Sequence, residues 1–320
     1  MNVHVIISTH NGAYWIEKCI SSVLNSSIGV QISIIDNVST DQTVAIIRTK
    51  FPEVKLICNE EDLGFAKSNN ILIREALIEG ADYVLLLNQD AWVEKDTIEG
   101  LVKIHMQNPQ YGILSPVHVN GAGTALDYNF SNYCREYRCP GFLSDLYLNR
   151  LKQVYDLHFV NAAIWLVSRA CLLKTGLFDP IFNVYGEDVD YISRSRIKGF
   201  KLGLAPDFRA YHDRERRPPS VIHTRKIAMI RQICILKDLN KNFYKEVFTF
   251  TINFITSLVK HLIKGKFDSV GADLKGARRI YSLLGKIRRT RQVCIKDGAY
   301  IQILPFRRKS IKKLADMEVN

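Results

Sequence analysis

The stretch Ala81-Asp82-Tyr83-Val84-Leu85-Leu86-Leu87-Asn88-Gln89-Asp90-Ala91 decides the fold. Tyr83 to Leu87 is a short, unbroken apolar run, as expected of a strand buried on both faces of a parallel sheet. It stops at the polar triplet Asn88-Gln89-Asp90, the strand's carboxyl end, and in open α/β sheets ligands bind along that edge. A carboxylate with an amide two residues earlier offers oxygen ligands to a hard cation. A plainer role for Asp90 is to cap a helix expected near Glu94. The triplet alone leaves both open.

Upstream, apolar strands alternate with helical spacing. Val3 to Ser8 reads as a first strand, followed by the polar loop Thr9-His10-Asn11-Gly12 and a helix to Leu24. Ile32 to Ile35 is a second strand, ending in Asp36, and Ser39 with Gln42 fits a capping box for the next helix. Strand Val54 to Ile57 leads to Gly64-Phe65-Ala66-Lys67-Ser68-Asn69-Asn70 and a helix to Glu79. Four such alternations in ninety residues predict an α/β, Rossmann-like, mostly parallel sheet flanked by helices. No G-x-G-x-x-G or Walker loop follows a strand, which disfavours a dinucleotide cofactor. Asp36, at the end of the second strand, suits a base N–H or ribose hydroxyl, or else closes an Asx turn. At Gly64 the backbone can approach a ligand closely, and the amides opening the next helix favour a phosphate or sugar oxygen.

Downstream, a strand is expected over 112–116, an irregular aromatic-rich stretch over 120–156, and another strand from Phe159 to Val167. The aromatics Tyr128, Phe130, Tyr133, Tyr137, Phe142 and Tyr147 either stack on a sugar or pack. In Tyr185-Gly186-Glu187-Asp188-Val189-Asp190, three acids crowd a helix start behind a glycine, with Asp190 and Arg194 spaced for an ion pair. That crowding exceeds what a favourable helix start requires and points to catalysis. His212, closing the last strand-like segment, is a candidate metal ligand.

Charge divides the chain. Residues 214–320 carry 25 Lys+Arg against 8 Asp+Glu, while 1–213 carry 19 against 24. Two regions follow: a catalytic body over 1–213 and a basic helical region over 214–320 with an anionic partner. Apolar residues at helical spacing from Val247 to Ile263, flanked by Lys260, Lys264 and Lys266, read as an interfacial amphipathic helix. A helical domain packed on the body with a solvated basic face is the competing reading. Nucleic acid is disfavoured for want of a recognised motif. The seven cysteines are scattered, Val3 to Ile7 is too short for a signal peptide, and no segment reaches about 18 uncharged apolar residues. A reduced, cytoplasmic chain, peripheral on the inner face of the plasma membrane, is the expectation.

Taken in order, Ser8–Gly12, Ile35–Asp41, Gly64–Asn70, Asn88-Gln89-Asp90, Gly176-Leu177-Phe178-Asp179, Gly186–Asp190 and His212 resemble the inverting glycosyltransferases of family 2, with the GT-A fold. The run of motifs is similar to bacterial rhamnosyltransferase-type members. The resemblance implies that Asp36 and the Thr9–Asn11 loop hold the nucleoside of a nucleotide-sugar, with Gly64, Lys67, Asn70, Gln89 and Asp90 along the same site. It implies Asp90 and His212 as ligands of Mg²⁺ or Mn²⁺, and Asp188, beside Glu187, as the general base. Asn88 stands where the family often has Asp, which weakens that first ligand. The implied activity is metal-dependent, inverting hexosyl transfer from a dTDP- or UDP-sugar to a glycan or lipid-linked acceptor in cell-surface polysaccharide biosynthesis. The alternative is a catalytically silent scaffold of this fold that tethers a biosynthetic complex to the membrane.

Overall fold

The computed structural model describes residues 1–214 and 220–301. The expected junction at 215–219 and the last part of the basic region, 302–320, lie outside the described residues. The strands β1 (Val3–Thr9), β2 (Gln31–Asp36), β3 (Lys55–Cys58) and β4 (Tyr83–Leu87) are parallel, in the order β3-β2-β1-β4. Helices α1 (Ile16–Leu24), α2 (Thr43–Lys50) and α3 (Gly64–Ile78) make the crossovers. Successive side chains of a strand point to opposite faces, so each central strand supplies two cores. Ile6, Val84 and Leu86 pack with Ile73, Ala76 and Leu77 of α3, whereas Val5, Ile7, Leu85 and Leu87 pack with Ile16, Ile20 and Val23 of α1. Both faces being covered explains why these strands read as continuous apolar runs.

Beyond β4 the sheet is mixed. The antiparallel β8 (Ile164–Ser168) follows β4, then β6 (Ile113–Asn120), β9 (Leu202–His212) and the antiparallel β5 (Ala91–Val93), with β7 (Tyr155–Asp156) also on β9. Only Asn88, Gln89 and Asp90 separate β4 from β5, yet β5 pairs with β9, three strands farther along. Three residues reach only about 10 Å, so the sheet curls until the end of β9 meets the end of β4. Ala91 then stands opposite His212, and the Asp213 N–H donates to the Asp90 carbonyl at 2.8 Å.

Several local expectations are corrected. No helix begins near Glu94: Asp90 is followed by β5, and α4 (Thr97–Gln107) starts later. The Ser39–Gln42 capping box does not form, because the Ser39 hydroxyl binds Asp36 and no side chain caps α2. The strand expected from Phe159 begins at Ile164, since a turn at Ala162 and Ala163 lets the Ala163 carbonyl accept the Asn88 N–H at 2.9 Å. The stretch over 120–156 is not wholly irregular. It contains α5 (Phe130–Tyr133) and α6 (Phe142–Tyr147), whose Phe130 and Phe142 are buried while Tyr128, Tyr137 and Tyr147 are exposed.

After α7 (Arg169–Thr175) and α8 (Glu187–Ile197), the basic region forms α9 (Val221–Lys237), α10 (Phe243–Ile263) and α11 (Phe267–Ile295). It is packed against the body. Ile230, Ile233 and Leu236 of α9 join Phe182 of the body and Ile280 and Ile287 of α11 in a third apolar cluster. Beside that cluster lies a buried charge network. Lys237 donates to Asp179 in a very short contact and approaches Asp190 at 3.7 Å. Asp190 accepts from Arg194 at 2.7 Å, and Arg194 also donates to the carbonyls of Thr175 and Leu177. Two cations thus balance two carboxylates, and they tie α9 to the helix that presents Glu187 and Asp188.

Candidate active site

The polar loops at the carboxyl ends of β1, β2 and β4 are laced together. Gln89 Oε1 accepts from the Thr9 hydroxyl at 2.5 Å and from the His10 N–H at 2.9 Å, while its Nε2 donates to the His10 carbonyl at 3.1 Å. Gln89, expected on a nucleotide-sugar, has its amide committed to fastening β4 to the β1 loop, and Thr9 is buried beneath it. Asn11 takes a left-handed backbone, φ +49°, and its Oδ1 accepts from the Thr40 N–H at 2.8 Å. Asp36 closes the next turn, accepting from the Ser39 N–H at 2.9 Å and from its hydroxyl at 2.5 Å. The turn role left open for Asp36 is therefore realised, although each carboxylate oxygen retains a lone pair for a ligand. Val38 in this turn has φ +58°, an unfavourable conformation for a β-branched side chain. Strain of this kind concentrates at functional loops.

The Gly64–Asn70 stretch divides. Gly64 has φ +70°, and a Cβ there would meet Asn183 at 2.3 Å, so the glycine is required by both backbone and packing. Lys67 is half-buried on the first turn of α3. Asn70 is corrected: it is fully buried, its Nδ2 donates to the Phe178 carbonyl and its Oδ1 accepts the Phe178 N–H, both at 2.9 Å. It pins the Gly176–Asp179 turn to α3 and has no face left for a nucleotide-sugar.

The curl of the sheet assembles the candidate metal centre. Asp90 Oδ1 lies 3.4 Å from His212 Nε2. Burial works to raise the Asp90 carboxyl, but the hydrogen bond and charge of His212 outweigh it and hold it below the usual range. Behind the imidazole stand two groups that the sequence did not single out. Arg214 Nη2 is 2.8 Å from His212 Nδ1, and the fully buried Asp127 has Oδ2 3.7 Å from that nitrogen and 3.0 Å from Arg214 Nε. Asp127 fell within the stretch read as irregular, and nothing in its local pattern marked it. His212 therefore lies between two carboxylates. The close partner of Nδ1 is the Arg214 guanidinium, which can only donate, and Asp127 in turn pairs with Arg214. Among the described residues no three His, Cys, Asp or Glu side chains converge on one point. Asp90 and His212 are the two side chains here that could hold a divalent cation, and such a pair would suit Mg²⁺ or Mn²⁺ with the rest of its shell supplied by a diphosphate and water. Asn88 is half-buried at the same turn, where its carbonyl accepts the Ala91 N–H at 3.1 Å.

The acid pair stands at the start of α8. Tyr185 and Gly186 both take positive φ, +72° and +95°, and a Cβ on Gly186 would meet Ile230 and Phe182. This tight turn aims Glu187 and Asp188 from a helix N-terminus, where backbone N–H groups favour negative charge. Burial first, and the charge of Asp188 second, push the Glu187 carboxyl well up. Burial also raises Asp188, but backbone N–H groups, that of Val189 first among them, restrain it. Both carboxyls thus lie above their usual range, Glu187 further than Asp188. Asp190, third of the acids, is spent in the buried network with Arg194 and Lys237. Burial, first, raises the Tyr133 phenol to about 12, and the charges of Arg214, Asp188 and Asp127 also act on it.

Comparison with known proteins agrees with this geometry. Residues 4–171 match the sequence profile described as Glycosyl transferase family 2. The chain is 25% identical over 182 residues to the low-salt glycan biosynthesis hexosyltransferase Agl10 of Haloferax volcanii, covering 53% of this chain and 58% of that protein. It is 22% identical over 214 residues to the dTDP-rhamnosyl transferase RfbF of Shigella flexneri, covering 66% and 69%. The match to Agl10 spans little more than half of that relative's length. Among solved structures, the mannosyltransferase PcManGT of Pyrobaculum calidifontis, in complex with GDP-Man and Mn²⁺, aligns with TM-score 0.53 at 17% identity over 92% of this chain and 85% of that one. Residues 1–349 of S. aureus TarS, with UDP, align with TM-score 0.52 at 16% identity, covering 77% and 68%. These likenesses establish the GT-A fold.

Proposed function

This chain belongs to glycosyl transferase family 2, and from that premise we propose that it transfers a hexose from a nucleoside-diphosphate sugar to a hydroxyl of a glycan or lipid-linked acceptor, with inversion. The observation that carries the reading is the pairing of Asp90 with His212 at the carboxyl edge of the sheet, with the acid pair Glu187–Asp188 presented separately by the start of α8. Asp90 and His212 would hold a divalent cation, which when bound would supply positive charge to the leaving diphosphate. Asp188 takes the proton of the acceptor hydroxyl, the freed oxygen bonds to the anomeric carbon, and the bond to the diphosphate breaks with its electrons. One base at Asp188, with no second carboxylate assigned as a nucleophile, suits a single displacement. The similarity to RfbF makes a dTDP-rhamnose donor the first to try and UDP-sugars the next.

Asp90→Ala weakens nucleotide-sugar binding in the presence of Mn²⁺ by more than about tenfold, a loss in the range seen when a metal's ligand sphere is damaged. Calorimetric titrations of UDP- and dTDP-sugars with and without Mn²⁺ measure it. Equal affinities in all four conditions refute the metal role. If no nucleotide-sugar is transferred or hydrolysed, the catalytic reading fails and a non-catalytic scaffold replaces it.

The chain works, on this reading, at an anionic membrane surface. No helix of the described residues is long and apolar enough to cross a bilayer. The outer face of α10 instead exposes Phe248, Ile252, Ile255, Val259 and Leu262 at helical spacing, bordered by Lys260, Lys264 and Lys266. Such a stripe lies in the headgroup region, each nearby cation adding about 1 kcal/mol against anionic lipid. Val259→Glu lowers co-sedimentation with phosphatidylglycerol vesicles roughly tenfold, and phosphatidylcholine vesicles bind neither protein. Equal binding of both proteins to both vesicles overturns the assignment.

A further inference from the structure

A cavity of about 720 Å³ opens beside the acid pair, between the back of α8, the segment from Tyr133 to Phe159 and the end of α9. Its size is that of a site for a small molecule. Val189, next in the chain to Asp188, lies on its wall, as does Cys234, whose thiol lies 3.8 Å from the Gly186 carbonyl. The wall thus begins one residue along α8 from Asp188, and neither Asp90 nor His212 is part of it.

Its lining is strongly cationic. Arg138, His158 and Arg196 come from the body, Arg231 and Lys241 from the basic region. The lining pair Arg194 and Lys237 is already neutralised by Asp190 and Asp179. Asp238 is the remaining acid on the wall, and its Oδ1 accepts from Asn240. Asp156 offsets part of the charge of Arg196, and Arg138, Arg231 and Lys241 leave the lining with an excess of positive charge over Asp238. The rim is also held in shape: the His158 N–H donates to the Arg138 carbonyl at 2.7 Å, and Arg196 Nη2 donates to the carbonyls of Leu157 and His158. Tyr133 and Phe159, ring centroids 5.2 Å apart, supply an apolar, aromatic side of the kind that stacks on sugars.

We propose that this cavity binds the acceptor through a phosphate or diphosphate group, placing the sugar hydroxyl against the aromatic side and within reach of Asp188. Guanidinium groups match phosphate oxygens in planar, charge-assisted pairs. The assignment of the anion as acceptor rests on the glycosyl-transfer reading; the binding of a phosphate does not. It also gives the basic region a role in the site, since two of the four cations, Arg231 and Lys241, lie on or just after α9.

The test is calorimetric titration of the full chain with inorganic pyrophosphate and with farnesyl diphosphate in detergent, EDTA being present to keep the metal centre empty. Both ligands bind, and the Arg231→Glu/Lys241→Glu double variant weakens each by about tenfold or more. Both residues are exposed, and Arg138→Glu is the independent second variant. Tighter farnesyl diphosphate identifies a lipid-linked source, equal affinities a soluble phosphate-bearing one, and both outcomes support the cavity. Absence of binding, or binding unaffected by either variant but lost in Asp90→Ala, overturns it. Nucleotide-sugar titrations on the same proteins report the donor site separately, so failure of the cavity and failure of the transferase reading are told apart.

Discussion

Asp188→Asn lowers sugar transfer by about 10²- to 10⁴-fold, the usual worth of a positioned general base, while nucleotide-sugar affinity changes little. The amide keeps the shape and the hydrogen bond from Val189 but cannot take a proton. Steady-state transfer rates against calorimetric donor affinities separate these two effects, and retained turnover removes Asp188 from the mechanism. The same residue sets a pH signature. Its carboxyl is pushed up to about 6, by burial first, and a base works only when deprotonated. In the wild type kcat/KM therefore rises with pH through about 6 and levels off above 7. A limb near pH 4 would indicate an ordinary, solvated carboxylate. Glu187→Gln removes the neighbour without removing the base, so the rising limb persists while its position shifts.

Lys237→Met costs about 3–5 kcal/mol of folding stability, the range observed when one partner of a buried ion pair is removed. Lys237 is buried and raised above its ordinary pKa: burial opposes its charge, but Asp190 and Asp179 outweigh that. Methionine fills comparable volume and leaves Asp179 unpaired in the interior. Replacing both partners, as in Lys237→Met/Asp179→Leu, recovers part of the loss, because an uncompensated charge costs more than an absent pair. Urea denaturation of the single and double variants measures both terms. Additive losses would show that the contact carries no coupling. Since Asp190 sits two residues after Asp188 on α8, the same substitution loosens the helix that aims the base.

The parallel half of the fold was legible in the chain. Val3 to Ile7, Ile32 to Ile35 and Tyr83 to Leu87 are apolar on both alternating faces, with only His4 and Ser33 as polar exceptions, because both faces of their sheet are covered, and that requirement is written locally. The carboxyl-edge loops were legible for the same reason, since polar residues must follow where such a strand leaves the core. Phe159 to Ala163 misled because small and apolar residues serve a buried turn as well as a strand. Gln89 and Asn70 looked like ligand contacts, but a side-chain amide has no local mark to show whether its partner is a substrate or a backbone group distant in sequence. Asn70 reaches Phe178 across 108 positions.

The amino-acid sequence by itself determined the α/β alternation, the edge on which chemistry is placed and the acid-rich helix start behind Gly186. Tertiary structure alone decided which acids act together. Asp90 meets His212 only because three residues must join β4 to a strand that pairs with β9. Asp127 and Arg214 enter the site through that same curl. Asn88-Gln89-Asp90 thus stops a buried strand by local hydrophobicity, and sheet closure sets its Asp90 beside His212. Hydrophobic period is a property of neighbours along the chain, whereas a site is a property of neighbours in space.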